Sequence, residues 1–388
     1  MSRQDKYGFY QVGDQRFYSK LEAVQLSVQN GKPVHWNFND EVYSNLNWEI
    51  EPVESLEVLY AQRAQQLREK YDHLVLWFSG GADSTNILNS FIDNDIKLDE
   101  VASFVNYEAT GDKYNFLNGE IYNVAAPVAE HAKEKQPWLK HTVIDLAQPI
   151  IDHFVISDSK FDWIYHMNTH LNPNNAIKHK IKLLNNDWRK MFETGKKVCF
   201  IFGVDKPRVA CNRDTGEFYF KFADFVDNSV TANMQINDNP YEFDEFFYWT
   251  PDAPDIAIKQ GHIIKRYVKS LLVTDEHLLP RKKAMNTMGG AVSVIMDDDF
   301  YVLEIQMLHR LVYPNYRPAL FQAKAPSLLF TPRDDWFFNL PDSDPAKYAW
   351  KVGLEEAWKK VPDVMKVDPN KMSSGFKLMT SKPYNLGE

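Results

Sequence analysis

The run Leu74-Val75-Leu76-Trp77-Phe78 is continuous and apolar, and Ser79-Gly80-Gly81-Ala82-Asp83-Ser84 follows it without a break. A strand with no polar side must be covered on both faces, as a central strand of a parallel sheet is covered by helices. Beyond the loop, Ile87, Leu88, Phe91 and Ile92 keep helical spacing until Asp93-Asn94-Asp95, and Val101 to Tyr107 predicts a second strand. A helix from about Glu120 to Lys135, a strand at Thr142 to Ile144 and an apolar strand at Val198 to Phe202 continue the alternation. The expected fold class is α/β, a doubly wound parallel sheet with a helix- and aromatic-rich C-terminal region.

The flanks read differently. Tyr7 to Val12 and Phe17-Tyr18, joined through Gly13-Asp14, predict a hairpin, and Ser19 to Gln29 a short helix ending near Gly31. After Pro52, the residues Leu56, Leu59, Tyr60, Ala64, Leu67 and Tyr71 line one face of a helix, with Glu54 and Glu57 early and Arg68 and Lys70 late, as the helix dipole favours. From about residue 225 the sequence turns aromatic and proline-rich, with helices expected at Ile256 to Leu272 and Pro345 to Lys360. Three regions are therefore expected: an N-terminal extension over 1–52, the parallel-sheet domain over 53–225 and a C-terminal acceptor-side domain over 226–388. The last fifteen residues carry no clear element signal.

Composition narrows the chemistry. With 44% hydrophobic and 25% charged residues in 388, the chain has the material for a folded core and is not a disordered or fibrous protein. Two cysteines, Cys199 and Cys211, supply neither a disulfide framework nor a four-thiolate zinc site. The N-terminus lacks the apolar run of a signal peptide and no stretch approaches the ~18 apolar residues of a membrane span, so a cytoplasmic protein without membrane association is expected. A net charge of −9 works against non-specific nucleic-acid binding, although a local basic groove is compatible with it.

The loop carries the chemistry. A glycine pair between a buried strand and a helix start lets successive amides, Gly80 to Asp83, converge on one anion, with the helix N-terminus adding positive partial charge. Ser79, Ser84 and Thr85 add hydroxyls. Asp83 repels a bare phosphate, so it is read either as a magnesium ligand or as a helix cap. No lysine follows the glycines as in a Walker loop, and the spacing is not that of the dinucleotide fingerprint.

The string S-G-G-x-D-S after a buried strand resembles the defining motif of the PP-loop (N-type) ATP pyrophosphatase superfamily, and within it the synthase domain of asparagine synthetases, without the glutaminase domain of those enzymes. The resemblance covers about residues 70 to 210. It implies a HUP-like sheet whose loop grips the pyrophosphate portion of ATP while an acceptor attacks the α-phosphate, giving an adenylate and pyrophosphate. A second phosphate loop is implied after a later strand, and Phe202-Gly203-Val204-Asp205-Lys206-Pro207-Arg208 stands in that place. There Gly203 allows close approach, Asp205 is a second candidate for Mg²⁺, and Lys206 and Arg208 are candidates for neutralising the leaving pyrophosphate. The loop reads G-V-D-K-P-R where asparagine synthetases carry G-x-G-x-D-E, so aspartate is not implied as the substrate.

Weaker signals remain open. Tyr107, at the end of the second strand, is either a purine contact or an ordinary strand end. Asp112, Lys113, Asn118 and Glu120 read better as solvated loop polarity than as site residues. His166, His170 and His179 lack a zincin glutamate and read as surface or hydrogen-bonded histidines, in a polar segment suited to acceptor binding. Lys259, Lys265, Arg266 and Lys269 with Arg281-Lys282-Lys283 make either a solvated helix face or a basic channel.

The expected function is ATP- and Mg²⁺-dependent adenylation of an acceptor, a carboxylate in the preferred reading, followed by amide formation with ammonia or an amine donor. The rivals are a nucleobase-modifying enzyme acting on tRNA or DNA, and a nucleotide-binding protein without turnover.

Overall fold

A computed structural model of the chain describes residues 5–111, 116–156, 173–177, 180–204, 207–212, 215–224, 239–274, 305–316, 335–360, 365–366, 375–376 and 379–388. Its strands in chain order are β1 (Phe9–Val12), β2 (Gln15–Phe17), β3 (Val34–Asn37), β4 (His73–Trp77), β5 (Glu100–Val105), β6 (Lys140–Asp145), β7 (Val198–Phe202), β8 (Val209–Cys211), β9 (Phe218–Phe220), β10 (Glu242–Phe246), β11 (Met365–Lys366), β12 (Gly375–Phe376) and β13 (Tyr384–Gly387).

Five of these form a sheet in the order β10-β7-β4-β5-β6 with every pairing parallel, so the protein is α/β. From β4 the chain winds outward through β5 to β6, then returns to the other side of β4 for β7 and β10. The apolar β4 is central, with Leu74, Val75 and Leu76 each fully buried. The Leu56–Lys70 helix enters it, started by Ser55, whose hydroxyl accepts the Val58 amide, and burying Leu59, Tyr60, Ala64 and Leu67. The Ala82–Ile92 helix leaves it, burying Ile87, Leu88, Phe91 and Ile92.

The N-terminal hairpin turns at Gly13 (φ 60°), and β3 adds a third strand beside β1. Ser19 caps the Lys20–Asn30 helix and left-handed Gly31 (φ 70°) ends it, as the sequence predicts.

Two features go beyond what the sequence suggests. The sheet crosses the boundary expected near residue 225: β10 pairs in register with β7, Phe246 opposite Phe202. One hydrophobic cluster takes residues from Tyr7 to Leu386, and a second also joins residues of 1–52, 53–225 and 226–388. The C-terminal end is also committed, since β13 pairs antiparallel with β9, which pairs with β8, and Leu386 is fully buried. A 21-residue helix, Pro254–Thr274, and the Pro345–Lys360 helix lie where the sequence places helices. Among the described residues no helix is long and apolar enough to cross a membrane.

Candidate functional site

β4 hands directly into the glycine turn. The Phe78 amide donates to the Ala102 carbonyl at 2.7 Å, extending the pairing with β5, and the Ser103 hydroxyl donates to the Phe78 carbonyl at 2.5 Å. Gly80 takes φ +73°, where a side chain is strained, and Gly81 (φ −70°, ψ 167°) starts the Ala82–Ile92 helix with no side-chain cap. Asp83 is thus not the helix cap; it lies in the first helical turn, whose amides have no carbonyl a turn back to pair with.

The hydroxyls are turned toward the loop itself. Ser79 Oγ accepts the Gly81 amide at 3.3 Å, Ser84 donates to the Gly81 carbonyl at 3.3 Å, and Thr85 donates to the Gly80 carbonyl at 3.3 Å. These bonds hold the turn in shape. Of the two hydroxyl donors expected, Ser84 must give up the Gly81 carbonyl to donate to an incoming anion, whereas Ser79 only accepts in its contact with the loop.

Two further elements close on this turn. Gly203, just beyond β7, stands where a Cβ would lie 3.2 Å from Asp83 Cβ, so the loop after β7 touches the first turn of the Ala82–Ile92 helix. From the other side a π-helical turn, Ile121–Ala125, presses on Gly80, at which a Cβ would meet the Ala125 amide nitrogen at 2.8 Å. Such single π turns recur at functional sites.

Between these elements opens a cavity of about 270 Å³. Its polar rim is Ser79, Asp83 and Ser84; its apolar wall includes Trp77, Phe104 and Phe202. Trp77 and Phe104 pack with ring centroids 4.8 Å apart. Ligands of open parallel sheets lie outside the carboxyl ends of the strands where the order reverses, which here is between β4 and β7.

Asp83 is held by tyrosines. The Tyr313 hydroxyl donates to Asp83 Oδ1, and the Tyr248 hydroxyl donates to the Asp83 carbonyl at 2.8 Å while accepting from Asn86 Nδ2 at 2.9 Å. Burial, then the neighbouring Asp83 carboxylate, pushes the Tyr313 phenol well above its ordinary range, so it stays a neutral donor.

Of the predicted site residues, Ser79, Asp83, Ser84 and Gly203 come together at the cavity, while Gly80, Gly81, Ala82 and Thr85 shape the turn without lining it. Tyr107 does not line it; the residue is 36% exposed and its ring is edge-on to Tyr122 at 6.4 Å. Arg208 does not line it either: it is buried at the head of β8, its carbonyl accepting the Lys221 amide at 3.0 Å. Asp205 and Lys206 lie outside the described residues, as do Asp112, Lys113, His166, His170 and His179. Asn118 and Glu120 are buried, not solvated as expected, and Asn118 Oδ1 accepts the Asn106 amide at 3.0 Å just past β5.

Lys182 was not singled out by the sequence. It lines the cavity wall, yet its ammonium is 2% exposed and bonds Glu242 at 2.8 Å and Asp244 at 2.5 Å. Burial works against its charge, and the two carboxylates outweigh that cost and raise its pKa. Two anions already match this cation, so Lys182 fastens the wall to β10. A sequence signal existed only in the lone lysine between Ile181 and Leu183, too common a pattern to notice.

Among the described residues no group of three or more His, Cys, Asp and Glu side chains gathers as a metal cage. Asp83 is the one carboxylate on the cavity lining among the described residues, so a divalent cation there would take a single protein carboxylate and its remaining ligands from elsewhere. On the Pro254–Thr274 helix, Lys259 pairs with Glu51 at 2.8 Å, Arg266 pairs with Glu51, and Lys265 donates to the Leu386 carbonyl at 2.6 Å, while Arg281, Lys282 and Lys283 lie outside the described residues. No protein-family model matches the sequence, and a search of curated proteins finds no match.

Proposed function

We propose that the chain is a doubly wound PP-loop enzyme that uses ATP to adenylate an acceptor, a carboxylate, with release of pyrophosphate, and then forms an amide with ammonia or an amine. The observation that carries this reading is the contact of Gly203 with Asp83, which brings the loops after β4 and β7 together at the reversal of strand order, on the rim of a cavity. The first-turn amides of the Ala82–Ile92 helix and the Ser79 and Ser84 hydroxyls would hold phosphate oxygens, and the Trp77–Phe104 wall offers an apolar surface to a flat base or an acceptor body. Magnesium bound with the nucleotide would neutralise phosphate charge, with Asp83 as its protein ligand.

In the first step an acceptor carboxylate oxygen bonds to the α-phosphorus and the bond from that phosphorus to the β-bridging oxygen breaks, the electron pair leaving with pyrophosphate. In the second the amine nitrogen bonds to the acyl carbon, the bond from that carbon to the phosphate oxygen breaks with its electron pair leaving on AMP, and the nitrogen gives its extra proton to water. The chain contributes position and charge stabilisation. The engagement of Lys259, Lys265 and Arg266 within the fold favours a small acceptor over a nucleic acid.

The test is incubation of α-labelled ATP, Mg²⁺ and ammonium with pooled carboxylates, pooled amines and nucleic acids. AMP release with a carboxylate pool is expected, reduced about 100-fold or more in Ser84→Ala and Asp83→Ala while both variants keep a cooperative unfolding transition. Unaltered turnover in both variants, or AMP release only with nucleic acid, would overturn it.

A further inference from the structure

The cavity at the glycine turn is polar at its rim and ringed with aromatic carbon beyond it. Past Ser79, Asp83 and Ser84 the wall is built from Trp77, Phe104 and Phe202, beside Ala102. Trp77 and Ala102 stand in register across β4 and β5, and Phe104 follows two residues on, so the three side chains share one sheet face. The wall is braced from behind: the Trp77 ring stacks on Phe200 (5.4 Å, 19°) and meets Trp188 edge-on at 5.6 Å. Ala102, fully buried, is the small residue among these rings.

The hydrogen-bonding groups around this wall are already engaged within the fold. The Ala102 carbonyl accepts the Phe78 amide and the Phe78 carbonyl accepts the Ser103 hydroxyl. The Phe202 carbonyl accepts the Phe247 amide at 3.0 Å, and the Val204 carbonyl accepts the Tyr248 and Trp249 amides at 3.2 and 3.1 Å. The Trp77 indole nitrogen is buried within the wall, and the Lys182 ammonium is matched by Glu242 and Asp244. A purine edge would lose water here without gaining partners, whereas an apolar body loses nothing. An apolar cavity of about 150 Å³ is enough to hold benzene. At about 270 Å³ this one accepts a phenyl ring with carbons to spare.

We propose that the acceptor is a carboxylic acid with an apolar body, aromatic or branched, which lies against Trp77 and Phe104, and that Phe104 and Ala102 set the size it can have. This inference rests on the adenylation reading above and names the class of its substrate. The orientation follows from the polarity of the lining. With its body against the rings, the acid keeps its carboxylate at the rim beside Ser79 and Ser84, where the loop would hold the nucleotide phosphates. The nucleotide base then lies away from the ringed wall.

The experiment follows the fluorine NMR line of 4-fluorophenylacetate with the full chain, α,β-methylene-ATP and Mg²⁺, using isovalerate, succinate and 2-naphthylacetate as competitors. The line is expected to broaden, isovalerate to displace the probe, and succinate to do so about tenfold more weakly or worse. Affinity for 2-naphthylacetate relative to the probe should rise about tenfold in Phe104→Leu and fall about tenfold in Ala102→Val, with nucleotide affinity unchanged in both. No broadening in the wild type, displacement by succinate equal to that by isovalerate, or one ratio in all three proteins overturns the proposal. So does a loss of nucleotide in place of acid, which would put the base on the wall. Should Ala102→Val fail to fold, the ratio in Phe104→Leu decides alone. The two readings fail separately. A wild type that releases AMP with polar acids and ignores the probe leaves adenylation standing and sinks this inference. A wild type that binds the probe but no nucleotide sinks the function proposed above, and the acceptor role with it.

Discussion

Gly80 lies against the backbone of Ala125, so close that a Cβ on the glycine would stand 2.8 Å from the Ala125 nitrogen and 2.9 Å from its Cα. The loop and the π turn cannot separate without moving the cavity wall, since Ile121 of that turn lines it. Gly80→Ala meets both the left-handed backbone, about 1–2 kcal/mol, and backbone overpacking, about 1–3 kcal/mol. A loss of about 3 kcal/mol in urea unfolding is expected. Gly81→Ala, with φ −70° and only Ser79 Oγ near at 3.2 Å, is the control, at about 1 kcal/mol or less. Equal losses in the two variants would show that the π turn yields, and that it does not brace the loop.

A second prediction concerns the Lys20–Asp224 pair, 2.6 Å apart with neither side chain exposed. Burial depresses the lysine and raises the aspartate, against their mutual attraction, and Asp224 also accepts the Tyr10 hydroxyl at 3.0 Å and the Met379 amide at 2.7 Å. Lys20→Met strands a buried carboxylate and is expected to cost about 3–5 kcal/mol. Adding Asp224→Asn removes the unpaired charge while leaving an acceptor for Met379, so the double variant recovers most of the loss. A double variant no more stable than Lys20→Met would disprove this account.

What the sequence disclosed follows from whether its signals are local. The strand at Val198–Phe202 and the glycine loop were legible because an uninterrupted apolar run and a glycine pair announce themselves within a few residues. β10 was not, because Glu242, Asp244 and Glu245 interrupt its apolar character. Those carboxylates are tolerated in a parallel sheet because Lys182 meets the first two and Lys6, Arg63 and Lys70 meet the third, cations that no window around residue 244 contains. Tyr313 at Asp83 is the same case at the site: a tertiary bond between residues whose local sequences carry no trace of each other.

Glu245 also predicts a pH dependence. It is 1% exposed, and burial raises its pKa, but the charges of Arg63 and Lys6 and hydrogen bonds from Lys6 and Tyr71 outweigh that and hold it well below its ordinary 4.5. A carboxyl depressed on folding contributes stability that is full above its unfolded value and is lost as pH falls toward the folded one. Glu245→Gln leaves Arg63 buried without its anion, so a loss of about 3–5 kcal/mol at pH 7 is expected. That difference from wild type should hold down to about pH 5 and narrow below it. Urea unfolding of both proteins between pH 7 and pH 3 is the measurement, and a gap constant across that range would refute the assignment.

The last prediction concerns the C-terminal strand. Gly261 sits in the interior of the Pro254–Thr274 helix, where glycine costs about 0.5–1 kcal/mol relative to alanine. Its bare Cα is filled by Leu386 of β13: a Cβ there would lie 3.1 Å from Leu386 Cδ2 and 3.2 Å from Phe220 Cδ2. Helix propensity has been surrendered so that the end of the chain seats on the helix. Leu386→Ala should therefore cost about 2–5 kcal/mol by transfer and cavity effects. Gly261→Ala alone should gain little, because crowding offsets the helical gain. In the double variant the new methyl occupies space that the shortened side chain vacates and restores helix propensity, so it should be more stable than Leu386→Ala by about 1 kcal/mol. Thermal and urea unfolding of the three variants measure this coupling, and strict additivity would mean that the strand does not rest on the glycine.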